Sequence, residues 1–187
     1  MSETEDLAAT WDRRSVPHAA TAVLQRIEGF SATPYDDNGA QAGGTWTIGY
    51  GTTRDAKGRP ISPLTPPVTE AEAESLLLRD MAGAAQDVAR LVRPPLSLCQ
   101  AAALISWTYN LGGDALAGST LLKRLNAGDL AAVPGEMRKW IKQGDKPLLG
   151  LLRRRWAEAA IFRGLPPAKA CARGWAEIDS LDDWPAF

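Results

Sequence analysis

Apolar positions recur at helical spacing through Pro17, Ala20, Val23, Leu24 and Ile27, which predicts a helix from Ser15, with proline tolerated in its first turn and Gly29 placed to stop it. Glu28 falls in the last turn of that helix. Over residues 30 to 67 the period disappears. Gly, Pro, Asp, Asn and Thr fill the segment, and Thr45 to Tyr50 is the one β-favouring run, so a small sheet with long loops is expected. Pro60, Pro63, Pro66 and Pro67 stiffen the exit from it. Thr69 followed by Glu72 is a capping box, and Ala73, Leu76, Leu77, Met81, Ala84, Val88 and Leu91 carry a helical stripe up to Arg93-Pro94-Pro95. A helix that long can join two lobes.

A second capping box, Ser97 with Gln100, opens Ala101 to Trp107, which is apolar nearly all round and is therefore expected to run through a core until Gly112-Gly113 closes it. Shorter helices follow at Ser119 to Asn126, around Pro134 and on to Trp140, and at Leu151 to Phe162. After Gly164-Leu165-Pro166-Pro167 the tail reads as a loop, with Trp175 and Trp184 packing back onto the surface. The fold class is thus α+β and predominantly α, a small β-hairpin lobe and a helical lobe joined by a long helix. The expected division is an N-terminal extension over 1–14, one domain over 15–164 and a tail over 165–187 packed on it. Within the domain, 15–67 form the small lobe, 68–95 the connecting helix and 96–164 the helical lobe.

Composition narrows the function classes. The chain has 187 residues, enough for one ordinary core, and its 45% apolar and 23% charged content argues against disorder. No run of 18 apolar residues occurs, so stable membrane insertion is not expected, and the acidic start lacks a signal-peptide apolar stretch. Cys99, Cys171 and the single His18 have no metal-ligand spacing, so no metal site is expected and both cysteines read as unpaired thiols. The net charge of −1 conceals a basic segment of Lys123, Arg124, Arg138, Lys139, Lys142, Lys146 and Arg153 to Arg155, offset by Asp129, Glu136 and Asp145. Such a face suits an anionic polymer, either nucleic acid or a carboxylate-bearing bacterial wall, and equally suits ordinary solvated helix surfaces. Nucleic acid is the weaker choice, because the basic residues are not interleaved with aromatics in any recognised motif.

The candidate chemistry lies around the predicted hairpin. Glu28, then Asp37, then Thr47 in Thr-Trp-Thr-Ile-Gly-Tyr-Gly supply an acid, a second carboxylate and a hydroxyl. Hydrolysis of a glycosidic bond needs a carboxylic acid to protonate the leaving oxygen and a carboxylate to activate or steer water. The negative end of the helix dipole disfavours a charged carboxylate at Glu28, which suits a proton donor. Asp36 is an alternative water-handling group, adjacent to Asp37.

At Arg-Ile-Glu28-Gly-Phe, Tyr35-Asp-Asp37 and Trp46-Thr47-Ile-Gly-Tyr-Gly51 the chain resembles the phage-type lysozymes, glycoside hydrolase family 24. The likeness continues through Trp107-Thr-Tyr-Asn110-Leu-Gly112, Ser119-Thr-Leu-Leu and Gly150-Leu-Leu-Arg-Arg-Arg155, covering roughly residues 17 to 164. The resemblance implies a lysozyme-like two-lobed fold and an endolysin-like muramidase that cuts the β-1,4 bond between N-acetylmuramic acid and N-acetylglucosamine with inversion. Glu28 would be the acid, Asp37 and Thr47 would handle the water, and Asn110, Arg154 and Tyr50 would bind substrate, with no cofactor. It also implies a monomer made in the bacterial cytoplasm, whose partner is the peptidoglycan glycan strand and whose release depends on a separate membrane-permeabilising protein. The eight-residue gap after Glu28 favours Asp37 over Asp36, whereas the nine residues between Asp37 and Thr47 make a longer turn than the family's. Thr52 stands where many members carry His. Since successive helical residues point about a hundred degrees apart, only one of Arg153, Arg154 and Arg155 is expected at the cleft, and Arg154 aligns with the family arginine. A lytic transglycosylase and a non-catalytic wall-binding module are the competing functions.

Overall fold

The computed structural model describes residues 6–36 and 45–187. Helix α1 (His18–Glu28) leads through Gly29 into an antiparallel hairpin of β1 (Ser31–Asp36) and β2 (Trp46–Gly49). Then come the long α2 (Glu70–Leu91), the buried α3 (Leu98–Leu111), α4 (Gly113–Gly118) and α5 (Thr120–Asn126). A 3-10 turn (Leu130–Ala132) leads into α6 (Val133–Arg138), the small hairpin β3 (Lys142–Gln143) and β4 (Lys146–Pro147), α7 (Leu149–Phe162) and α8 (Pro167–Glu177). Both capping boxes read from the sequence are formed in full, Thr69 with Glu72 and Ser97 with Gln100. No helix among the described residues is long and apolar enough to cross a membrane.

Helix α3 is the axis of the helical lobe, with α1, α2 and α7 packed around it. Its residues Ala101 to Thr108 are all buried, as expected of a helix without a polar face. Each fully buried leucine there, such as Leu104, contributes on the order of 2 kcal/mol by leaving water. Trp107 meets Trp140 edge to face at 5.1 Å, which fixes Trp140 as packing beneath the lobe. At the other end α2 touches the hairpin. Gly49 has φ +66°, and a Cβ there would lie 2.8 Å from the Cβ of Ala73, so only glycine allows β2 to approach α2 this closely.

Two ends of the chain depart from the sequence reading. The tail expected to be a loop contains α8, which packs against α7 and α1 and buries Ala170, Cys171 and Gly174. Pro166 and Pro167, taken as breakers, sit at the N-cap and first turn, where proline's missing N–H has no helical partner to lose. Trp184 does fold back, lying 5.2 Å under the Arg138 guanidinium and against Phe187, while Trp175 stays 40% exposed on the outer face of α8.

The N-terminal segment is part of the core. Trp11 is buried, its N–H donates to the Leu96 carbonyl, and the Leu98 N–H donates to the Ala9 carbonyl. Arg13 then donates to the carbonyls of Ala89, Val92, Arg93 and Pro94 at 2.6–3.1 Å, so one guanidinium caps the C-terminal end of α2. It does so from φ +63°, a left-handed conformation that costs a side chain-bearing residue about 1 kcal/mol. We expect Arg13→Ala to lower stability by about 2 kcal/mol in urea denaturation, because the lost bonds are charge-assisted. Arg13→Gly should be less damaging than Arg13→Ala, since glycine relieves the backbone while losing the same cap.

Candidate active site

The positive-φ turn at Gly29 (φ +71°) swings the chain from α1 into β1 and leaves Glu28 at the mouth of a cleft of about 430 Å³. Glu28, Gly29, Phe30, Ser31 and Tyr35 line it. Phe30 stands 40% exposed, with its ring centroid 5.6 Å from that of Tyr50. Tyr50 itself is buried in the core cluster, and burial, with Glu70 and Glu74 adding to it, raises its phenol above the ordinary range. Of this pair Phe30, which the sequence reading did not single out, faces the cleft, and Tyr50 backs it.

Strand register places the hydroxyl. Tyr35 pairs directly with Thr47 and Asp36 with Trp46, after a bulge between Ser31 and Tyr35. Directly opposed residues share a face and successive residues alternate, so Thr47 lies on the face of Tyr35, a cleft residue, and Asp36 on the opposite one. Asp37, the expected water-handling carboxylate, lies outside the described residues. Thr47 is 3% exposed, and its Oγ1 has no hydrogen-bond partner among them.

The turn after β2 is tied to α2. Ile48 and Thr52 exchange both backbone hydrogen bonds, and the Thr52 hydroxyl donates to Asp80 Oδ2 at 2.7 Å. Arg79 beside it donates to Asp80 Oδ1 and to the Arg54 and Asp55 carbonyls. Threonine therefore supplies a neutral hydrogen bond to the carboxylate at the position where histidine was the alternative.

From the helical lobe Arg154 reaches Glu28, with Nη1 2.7 Å from Oε1 and the Glu28 side chain 29% exposed. Burial works against the charge on Arg154, but Glu158 and Glu28 outweigh it and hold the guanidinium above its ordinary pKa. The three consecutive arginines divide as helix geometry requires. Arg153 faces outward and donates to the Ile178 carbonyl, and Arg155 is fully buried and donates to Asn110 Oδ1 at 2.8 Å. Burial pushes Arg155 down to about 10, with Glu158 opposing and Arg154 reinforcing the shift. Asn110 is thus engaged by the core on its oxygen side, at the surface end of α3.

The anchor of both arginines is Glu158, at 0% exposure. Its Oε1 accepts from Ser106 Oγ at 2.8 Å, Arg154 Nε at 3.2 Å and Arg155 Nη2 at 3.3 Å. Arg155 Nε lies 3.1 Å from Oε2, near enough for charge attraction but not aligned as a hydrogen bond. Glu158 escaped the sequence reading, although its spacing of four from Arg154 and three from Arg155 is the pattern of helical ion pairs. Much of the remaining basic segment is engaged internally. Arg124 and Lys139 pair with Glu136, and Arg138 stacks on Trp184, while Lys142 and Lys146 project from the β3–β4 hairpin.

With this geometry the relatives can be compared. The family model described as phage lysozyme matches residues 25–158, a span that holds Glu28, Thr47, Arg154 and Glu158. The chain belongs to the phage lysozyme family. It is similar to the endolysin of Acyrthosiphon pisum secondary endosymbiont phage 1, 34% identical over 75% of this chain and 92% of that protein. Among solved structures, an endolysin from Escherichia coli O157:H7 phage FAHEc1 superimposes with a TM-score of 0.71 at 31% identity, covering 80% of this chain and 93% of that one. The muramidase domain of SpmX from Asticaccaulis excentricus gives 0.66 at 28% identity, over 79% and 96%. The chain is accordingly a glycoside hydrolase of the lysozyme type, a peptidoglycan-hydrolysing muramidase with an α+β lysozyme fold.

Tyr109, next to Asn110 on α3, offers an independent check of the cleft's electrostatics. Burial, then the charges of Asp80 and Glu28, push its phenol up to about 12. Below pH 10 the folded and unfolded chains both keep this proton. Above it the unfolded chain ionises first, so stability is lost as pH rises toward 12. Relative to Tyr109→Phe, the wild type should lose about 2 to 3 kcal/mol across that window in denaturant titrations. The phenolate absorbance that the substitution removes should be the one developing near pH 12.

Proposed function

We propose that Glu28 is the general acid of this muramidase and that Asp37 and Thr47 hold the hydrolytic water on the other side of the sugar, giving inversion. The observation that carries the reading is the pairing of two features at one cleft. One is a carboxyl held by a buried arginine at its mouth, and the other is a buried hydroxyl, without a partner among the described residues, on the strand face of a lining residue. The cross-strand pairing of Asp36 with Trp46 turns it from that face, which favours Asp37 as the water-handling group.

Around these groups the polar substrate has matching partners. The Asn110 amide, with its oxygen taken by Arg155, retains its N–H donors for an acetamido carbonyl. Arg154 holds the acid in place and offers charge to sugar carboxylates, and Tyr50 supports Phe30 as an apolar platform for a pyranose face. No cofactor enters this chemistry, because the proton and the water are supplied by side chains and solvent. Action as a monomer on the glycan strand, after release by a membrane-permeabilising protein, belongs to the same proposal.

Glu28→Gln is expected to cut lysis of purified wall about a thousand-fold while leaving the melting temperature near wild type. Thr47→Val removes the hydroxyl at constant shape. It should lower kcat ten- to a hundred-fold, leave KM little changed, and leave stability equal or higher, because the buried oxygen makes no bond among the described residues. Mass spectra of the digest should show reducing ends. Anhydromuramyl ends would replace hydrolysis by transglycosylation, and binding without cleavage would leave a wall-binding module.

A further inference from the structure

We propose that Glu158 is the positioning residue of this site, one buried carboxylate that sets Arg154 on Glu28 and Arg155 on Asn110 together. The inference rests on Glu28 being the acid. Its ground is a charge count in a space closed to water. Two guanidinium groups, 0–5% exposed, meet one carboxylate at 0% exposure, and Arg154 alone of the two also reaches Glu28. Taking Glu158 out would leave both cations buried, Arg154 with Glu28 as its anion and Arg155 with the Asn110 amide oxygen, an arrangement that costs several kcal/mol unless the side chains move.

The geometry makes the two arms depend on one atom. Oε1 of Glu158 receives Arg154 Nε and Arg155 Nη2; Arg154 Nη1, away from that contact, donates to Glu28 Oε1, and the same Arg155 Nη2 also donates to Asn110 Oδ1. A planar guanidinium fixed through Nε has its other nitrogens aimed, and a nitrogen shared between two acceptors is placed by both, so Glu158 sets both arms. Ser106 Oγ, donating to the same oxygen from α3, fixes the carboxylate's own rotamer. A purely structural role for Glu158 would end at neutralising the two buried guanidinium groups. The second arm, ending on a half-open carboxyl at the cleft, adds nothing to such a role.

Other charged or titratable groups border the cluster. Arg26 from α1 and Cys171 from α8 lie on one side, and Tyr109 from α3 with Asp80 and Arg79 from α2 on the other. Cys171 is pushed up to about 11 by burial and stays a neutral thiol through the range of a wall assay. Arg26, Arg79 and Asp80 are the same residues in both variants compared below and give them a common background.

The test is the pH profile of kcat/KM for wall hydrolysis, read on its alkaline limb, where the acid loses its proton. In Glu158→Gln the two guanidinium groups act on Glu28 without a counter-charge. The limb should move to lower pH by about half a unit or more, with kcat down about ten-fold and KM raised through a loosened Asn110. In Ser106→Ala, a small change that keeps the fold, Glu158 loses its neutral donor and its field at Glu28 grows. The limb should move the other way, to higher pH, by about 0.2 units. Opposite shifts from two neighbours of one oxygen are not produced by loss of packing. If Glu158→Gln does not fold, Ser106→Ala decides the matter alone. Superimposable limbs in the folded variants would overturn the proposal. Full activity in Glu28→Gln would instead remove the acid assignment on which it stands.

Discussion

Burial of two guanidinium groups in the helical lobe is the constraint on which the functional geometry depends. Arg154 and Arg155 are drawn into the core because α7 packs on α3 along the face that carries them, and water cannot follow. Ions in such a place are tolerable only when paired and hydrogen-bonded, which makes Glu158 and Ser106 obligatory neighbours. One carboxylate cannot neutralise two guanidinium groups. The remaining attraction is directed at Glu28, so the helical lobe holds that carboxyl of the small lobe by a charge that its own core leaves over.

The hairpin that follows Glu28 is fixed by different means. There the links are a close approach of β2 to α2 at Gly49 and the hydrogen bond from the Thr52 hydroxyl to Asp80. Helix α2 supplies these contacts near one end, and Arg13 caps its carbonyls at the other. The N-terminal segment therefore reaches the site through the rigidity of a 22-residue helix. Substitution there is felt at the cleft only as far as it loosens that helix.

Much of this was legible beforehand because it is local. Capping boxes, a glycine stop after Glu28 and an all-apolar helix are written in a few adjacent residues, and each formed where the pattern placed it. Helix α8 was not, because Pro166-Pro167 reads as an interruption until the packing of Ala170, Cys171 and Gly174 on α7 is known. The role of Arg13 was hidden for a related reason. Its partners lie 76 to 81 residues away and are backbone carbonyls, which no side-chain pattern records. Glu158 sits between these cases, since its spacing from Arg154 and Arg155 was visible but its burial was not.

The same distinction orders the site. Glu28 and Thr47 could be picked out by type and context, yet what makes them a candidate pair is supplied from elsewhere. For Glu28 it is an arginine 126 residues downstream, and for Thr47 a register that turns it to the face of Tyr35. A carboxyl at a helix end and a threonine in a strand are ordinary apart. Each is costly as found, a half-open carboxyl against a buried cation and a buried hydroxyl with no hydrogen-bond partner among the described residues. Stability alone would not retain either feature: a valine in place of Thr47 and an uncharged pair in place of Arg154 and Glu158 would both be easier to bury.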